Sequence, residues 1–139
     1  MAEEALDSGR AFRRFQKMPS CQGADPAALL RPFPLGEFTM DILAEQDGFL
    51  TRMEAAEIGR AAVLLGAGRS RKDEPIDLKA GIRIFKKTGD FVRKGDVLAE
   101  LYASKESLLA QSAEKYRNAL TFGTEKPELP PLIAGRIGG

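Results

Sequence analysis

The sequence predicts an α+β fold, on three observations. Apolar residues alternate over several short stretches, the period of strands, and step by three and four over longer ones, the period of helices. Two Gly-Asp pairs, Gly89-Asp90 and Gly95-Asp96, stand six residues apart. Each is followed at the same offset by an apolar residue, Val92 and Leu98, so the two turns place equivalent side chains inside a small barrel. The chain has 139 residues, the length of one domain. A chain of that size buries about 70% of its unfolded surface, enough for one core.

The elements follow in order. EEALDSGRAFRRFQKM, 3–18, reads as a helix with acidic residues at its start and Leu6, Phe12, Phe15 and Met18 on one side, and Pro19 is expected to stop it. Pro26, Pro32 and Pro34 make the next stretch a connector, with one helical turn at 26–30. Phe38, Met40 and Ile42 alternate as a strand, as do Phe49, Thr51 and Met53, with Gln46-Asp47-Gly48 as the turn signal between them. Ala55, Ile58, Ala62 and Leu65 are spaced as a helix that Gly66 ends in the left-handed conformation, while Met53, at the expected cap position, cannot cap it. GRSRKDEPID, 68–77, is a charged loop. Ile82 and Ile84 mark a strand, the Gly-Asp turns follow, and VLAELYA, 97–103, is the next strand. Leu109, Ala113, Tyr116 and Leu120 return to helical spacing, with Ser104 as the expected N-cap. The tail is rich in proline and glycine, with one short strand expected at Leu132-Ile133.

Composition excludes several chemistries. Basic and acidic residues number 21 and 20, a balance that argues against a nucleic-acid or membrane-surface binder. Cys21 is the one cysteine and histidine is absent, so an internal disulfide, a cysteine zinc site and a histidine base are excluded. No apolar run reaches membrane-spanning length, and MAEEALDSGR is too acidic for a signal peptide. These features predict a cytoplasmic protein without a cofactor or metal.

Three local patterns invite a functional reading. Gly66-x-Gly68 with Arg69, Arg71 and Lys72 resembles a phosphate loop in composition, yet it follows a helix, where a dinucleotide loop follows a strand and opens a helix. It reads as a solvated loop whose three cations can contribute to an anion site completed elsewhere. Glu54 with Glu57, and Asp73 with Glu74, read as an exposed helix face and a loop rather than acid-base pairs, and no segment has the alternating oxygen ligands of a calcium loop. Lys105 stands just after a strand, near where lipoyl and biotinyl carriers place their modified lysine. A carrier lysine needs the tip of a tight hairpin, but ESLLAQSAEKY follows with helical spacing, which makes Lys105 a helix-start residue.

The run from EQDGFLTRM through IGRAAVLLGAGRSRKDEPID and GIRIFKKTGDFVRKGDVLAELYAS resembles the C-terminal domain of pyrimidine-nucleoside and thymidine phosphorylases. Upstream, ALDSGRAFRRFQKM and QGADP resemble the segment that leads into it. The resemblance implies a barrel-sandwich hybrid-like small β domain with flanking helices, related to carrier domains with its halves in another order. It implies a helical lead-in and connector at 1–35, the domain at 36–125 and an irregular tail at 126–139. It implies a non-catalytic portion of a glycosyltransferase that converts pyrimidine nucleosides and phosphate to free base and sugar 1-phosphate. Such a portion would form one wall of the cleft, its partner the upstream catalytic region of the same enzyme, with phosphate and nucleoside bound only in the complete enzyme. No catalytic residue carries over to this chain. The loop from Gly66 to Pro75 is the candidate cleft-closing element, with Gly66, Gly68, Arg69, Arg71 and Lys72 as its residues. Two positions depart from the family pattern: Phe85, where histidine is common, and Pro19, within a helix that usually continues. A carrier module modified at Lys105 and a free-standing interaction domain of the same fold are the alternatives.

Overall fold

The computed structural model describes residues 2–69, 72–131, 133, 135 and 137. The expected Leu132-Ile133 strand falls partly outside them. The chain divides into two compact units, 1–34 and 35–139.

The first unit is helical. Where one helix was expected there are two, α1 (Ala2–Asp7) and α2 (Arg10–Cys21), because Gly9 adopts a φ of 69° between them. Contrary to expectation, α2 runs through Pro19 and ends two residues later. A proline cannot donate to the carbonyl four residues back. The Phe15 carbonyl loses that donor, while the Pro19 carbonyl still accepts from the amides of Gln22 and Ala24, at 3.0 and 2.9 Å. Leu6, Phe12, Phe15 and Met18 are all exposed. The expected turn at Pro26–Leu30 is a 3-10 helix, capped by the Asp25 carboxylate, which accepts from the Ala27 amide at 2.9 Å.

The second unit is α+β. Strands β1 (Phe38–Leu43), β5 (Val97–Ala103) and β3 (Gly81–Ile84) form one antiparallel sheet in the order β1-β5-β3. Strands β4 (Phe91–Val92), β2 (Gly48–Met53) and β6 (Leu120–Gly123) form the other, in the order β4-β2-β6. The turn signal at 46–48 therefore passes the chain from one sheet to the other, and β1 and β2 are not partners. One core lies in this unit, with Ile42, Leu50, Val92, Leu98 and Leu101 at its centre.

Two irregularities decide which side chains reach the core. In β2 the pairing steps from Leu50↔Phe122 to Arg52↔Thr121, leaving Thr51 as the extra residue of a bulge. The bulge shifts the alternation, so Leu50 is buried and Met53 packs on the same core, while Phe49 and Thr51 of the expected face are half-buried. In β5 the pairing steps from Ile42↔Ala99 to Leu43↔Val97, and the consecutive residues Leu98 and Ala99 are both buried.

The two Gly-Asp turns are built alike. Gly89 and Gly95 have φ of 95° and 93°, which glycine adopts without the strain a Cβ would bring. Each aspartate accepts from the backbone amide three residues before it. Asp90 accepts from the Lys87 amide at 2.7 Å and Asp96 from the Arg93 amide at 3.0 Å. Each turn then exchanges two backbone bonds with a residue of the facing segment. Gly89 donates to the Leu50 carbonyl and Leu50 donates to that of Asp90, at 2.7 and 2.9 Å. Gly95 and Asp96 do the same with Ala44, at 2.8 and 2.9 Å. Val92 and Leu98 are buried, as the spacing predicted.

Helix α3 (Ala55–Leu64) packs on α4 (Leu109–Asn118). The buried Ser112 hydroxyl donates to the Ala61 carbonyl of α3 at 2.8 Å. The Glu57 carboxylate pairs with both Arg60 and Lys115, and these cations hold it below the usual carboxylate range, the Lys115 hydrogen bond foremost. Ala61 and Leu65 are the buried residues of the α3 region, while Ala55 is exposed.

Tyr116 of α4 is fully buried, and its hydroxyl has no hydrogen-bond partner among the described residues. Burial pushes its phenol from 10.0 up to about 12. A raised phenol stabilises the fold below its unfolded pKa, and that contribution is lost as pH rises from about 10 to about 12. Tyr116→Phe is therefore expected to gain about 1 kcal/mol at neutral pH, by removing an unsatisfied hydroxyl. Its advantage should widen by about 1.4 kcal/mol at pH 11, one unit above the phenol's unfolded pKa. Urea midpoints at pH 7 and pH 11 test this. A variant less stable than the parent at both would show that the hydroxyl is favourably placed.

Candidate functional site

The charged loop at 66–77 is the element to which the sequence points. Its entry is set by the end of α3. The Gly66 amide donates to the Val63 carbonyl at 3.0 Å and the Ala67 amide to that of Ala62 at 3.1 Å, the paired bonds of a Schellman stop. Gly66 has the expected left-handed backbone, with φ 101°. At the other end of α3 the cap position is Glu54, whose side chain makes no capping bond. Gly68 turns the chain back over α3: a Cβ there would lie 2.8 Å from Cγ2 of Val63.

The exit is set by Asp77. Its amide donates to the Gly66 carbonyl at 2.9 Å, so the loop closes on itself at a narrow neck. Its carboxylate accepts from the Lys79 amide at 2.9 Å, and Ser104 lines the same depression. The nearby Ser104 hydroxyl first, then the Lys79 amide, hold Asp77 below the usual carboxylate range. The Lys79 carbonyl in turn accepts from the Gly36 amide at 2.9 Å.

Ser104 was expected to cap the following helix, and it does not. The cap position belongs to Lys105, which precedes a 3-10 turn, Glu106–Leu108, and makes no side-chain capping bond. Lys105 is exposed and leads into helical backbone, with the Leu108 amide donating to its carbonyl at 3.2 Å. That is a helix-start position, without the hairpin of a carrier site. A depression of about 260 Å³ lies between the loop base and this junction, lined by Leu65, Ile76, Asp77, Ser104 and Lys105 among others.

Of the cations, Arg69 and Lys72 are exposed, and the Arg69 guanidinium donates to the Lys72 carbonyl at 3.2 Å. Arg71 lies outside the described residues. Gly66, Gly68, Arg69 and Lys72 are thus gathered in one loop with a fixed base. Glu54 pairs with Arg52, and Glu57 with Arg60 and Lys115, so that carboxylate pair is neutralised by structural cations. Among the described residues no group of three or more acidic, cysteine or histidine side chains is placed to hold a metal. No described helix is long and apolar enough to cross a membrane. Phe85 is about half exposed beside β3. Sequence reasoning missed Asp77 as the residue that fixes the loop exit. The available signal was the Asp-x-Lys stretch at 77–79, where an aspartate can accept the amide two residues on.

A two-sheet α+β module carrying a pinned basic loop is the class that fold and site define. Residues 49–123 match the family model described as the pyrimidine nucleoside phosphorylase C-terminal domain. The chain belongs to that family. It is 39% identical over 118 residues to a pyrimidine-nucleoside phosphorylase of Bacillus subtilis, covering 84% of this chain and 27% of the relative. It is 32% identical over 139 residues to that of Geobacillus stearothermophilus, covering 99% of this chain and 32% of the relative. It is 30% identical over 134 residues to a thymidine phosphorylase of Colwellia psychrerythraea, covering 94% and 31%. The chain thus spans about a third or less of the length of the curated relatives it matches.

Proposed function

We propose that this chain is the non-catalytic wall of a pyrimidine-nucleoside phosphorylase-like enzyme, working in the cytoplasm against an upstream catalytic region that binds phosphate and nucleoside. The carrying observation is that the match runs over nearly the whole chain while leaving about two thirds of each relative unmatched. A phosphorolytic site needs a cradle for the phosphate dianion and groups that stabilise charge on the departing base. The described residues of this chain supply cations on one loop and no such cradle. The domain boundaries we assign are 1–35 for the helical lead-in, 36–125 for the domain and 126–139 for the tail. The two sheets are read as a barrel-sandwich hybrid. The matched pairing of the Gly-Asp turns with Leu50 and Ala44 supports that reading. The loop carrying Gly66, Gly68, Arg69, Arg71 and Lys72 is the part that closes over the cleft, since basic groups on a hinged loop can meet an anionic substrate as the walls approach.

The test is direct. The purified 139-residue chain, given thymidine or uridine with phosphate, is expected to release no base above the uncatalysed background. Phosphate-dependent formation of free base by the pure chain would overturn the assignment of a non-catalytic wall.

A further inference from the structure

The first unit has amphipathic helices and no core: none of its described residues is buried. Two patches on it are complementary. In α1, Glu3, Leu6 and Asp7 stand at i, i+3 and i+4 and so share a face. Leu6 is 70% exposed there, with the two carboxylates beside it. In α2, Arg14, Lys17, Met18 and Cys21 stand at i, i+3, i+4 and i+7, again on one face. They line a depression of about 310 Å³, in which Met18 is 57% exposed. One patch is apolar and acidic, the other apolar and basic. Neither is used within the chain. Glu4 bridges to Arg10 at 3.2 Å, and the Arg13 guanidinium donates to the Ser8 carbonyl at 3.2 Å. Glu3, Asp7, Arg14 and Lys17 make no ion pair among the described residues. The Glu4 bridge holds α1 at the first residue of α2, whereas the basic patch lies about one to three turns further along. The α1 of the same chain therefore leaves that patch uncovered.

We propose that this unit pairs with a second copy of the chain, α1 of each copy lying on the Arg14–Cys21 face of the other's α2. Leu6 then enters the depression over Met18, and Glu3 and Asp7 meet Arg14 and Lys17. The contact is isologous: each copy offers what the other receives, so a twofold axis closes it as a dimer with both patches of both copies filled. Burial of Leu6 and Met18 drives it, and the ion pairs set its register. A partner carrying one sign of charge would meet one patch and be repelled by the other. A surface with both signs at this spacing meets the two at once, and this chain carries such a surface. The pairing rests on the helical unit alone and does not depend on the phosphorolytic reading.

Sedimentation equilibrium of the intact 139-residue chain tests the pairing, with two charge-reversed variants. One carries Glu3→Lys and Asp7→Lys, the other Arg14→Glu and Lys17→Glu. The parent is expected to show a monomer–dimer equilibrium at concentrations below about 1 mM, the range of weak specific contacts. For each variant alone the dissociation constant should rise about tenfold or more, because the twofold axis counts every reversed pair twice. An equimolar mixture of the two variants should dimerise as the parent does, since each half of the contact then joins opposite charges again. That recovery also shows that both variants fold. A parent that stays monomeric overturns the pairing and leaves the unit to another partner, the upstream catalytic region first. A mixture that fails to recover overturns it as well. Dimerisation of either variant alone to the parental extent places the self-contact elsewhere and equally overturns it.

Discussion

Gly36→Ala is expected to destabilise the second unit by about 3 kcal/mol, at the upper end of what overpacking ordinarily costs. A Cβ built at Gly36 would lie 2.5 Å from both the carbonyl carbon and the oxygen of Ala103, and 2.7 Å from its nitrogen. Those atoms belong to backbone in the central strand of a sheet, so no side-chain rotation relieves the overlap. Gly36 also donates to the Lys79 carbonyl at 2.9 Å, and any shift that admits the methyl disturbs that bond. Gly81→Ala is the control, because nothing lies within 4 Å of its built Cβ. Its midpoint in urea should stay within about 1 kcal/mol of the parent. Equal midpoints for the two variants would show that the chain around Gly36 yields where packing says it cannot.

Leu50→Ala is the second large effect, at about 2–5 kcal/mol, the range for truncating a buried leucine. Leu50 is fully buried at the centre of the core. Its backbone also holds the first Gly-Asp turn by two hydrogen bonds, so the cavity would open beneath a segment that the same residue fixes. Leu43→Ala, at a side chain 45% exposed, should cost about 1 kcal/mol or less. If the two substitutions shift the urea midpoint alike, Leu50 is not the core residue described here.

The contrast between these residues shows what a sequence makes legible. Positive-φ glycines leave a local trace: Gly66, Gly89 and Gly95 sit beside turn-forming or helix-ending neighbours, and all three adopt the backbone their context predicts. Gly36 has no such trace, because what requires it is the backbone of Ala103, far along the chain. The core face of β2 was misread for a related reason. Alternation points to Phe49, Thr51 and Met53, but a bulge at Thr51, created by pairing with β6, puts Leu50 inward. β6 itself was missed, because Leu120 reads as the last step of a helical spacing and Thr121 to Gly123 as the start of the proline- and glycine-rich tail, until pairing with β2 makes them a strand. Pro19 was overweighted as a breaker: α2 continues two residues past it, and its carbonyl still accepts from the amides of Gln22 and Ala24.

The candidate site was legible in part. The loop, its glycine stop and its cations could be read from residue types alone. Its closure could not, because the bond from the Asp77 amide to the Gly66 carbonyl forms only when the chain folds back on the end of α3. Ser104 has the residue type of a cap, and only the fold shows that the cap position falls on Lys105.

The neck at Gly66 and Asp77 also separates the length of the loop from the integrity of the domain. Its two ends are joined by one backbone bond of 2.9 Å, whatever lies between them. Lengthening such a loop costs only chain entropy, about 0.6 kcal/mol for each doubling. The stretch between residues 69 and 75 is therefore a place where segments can be inserted or exchanged, by evolution or by design, while both sheets keep their register.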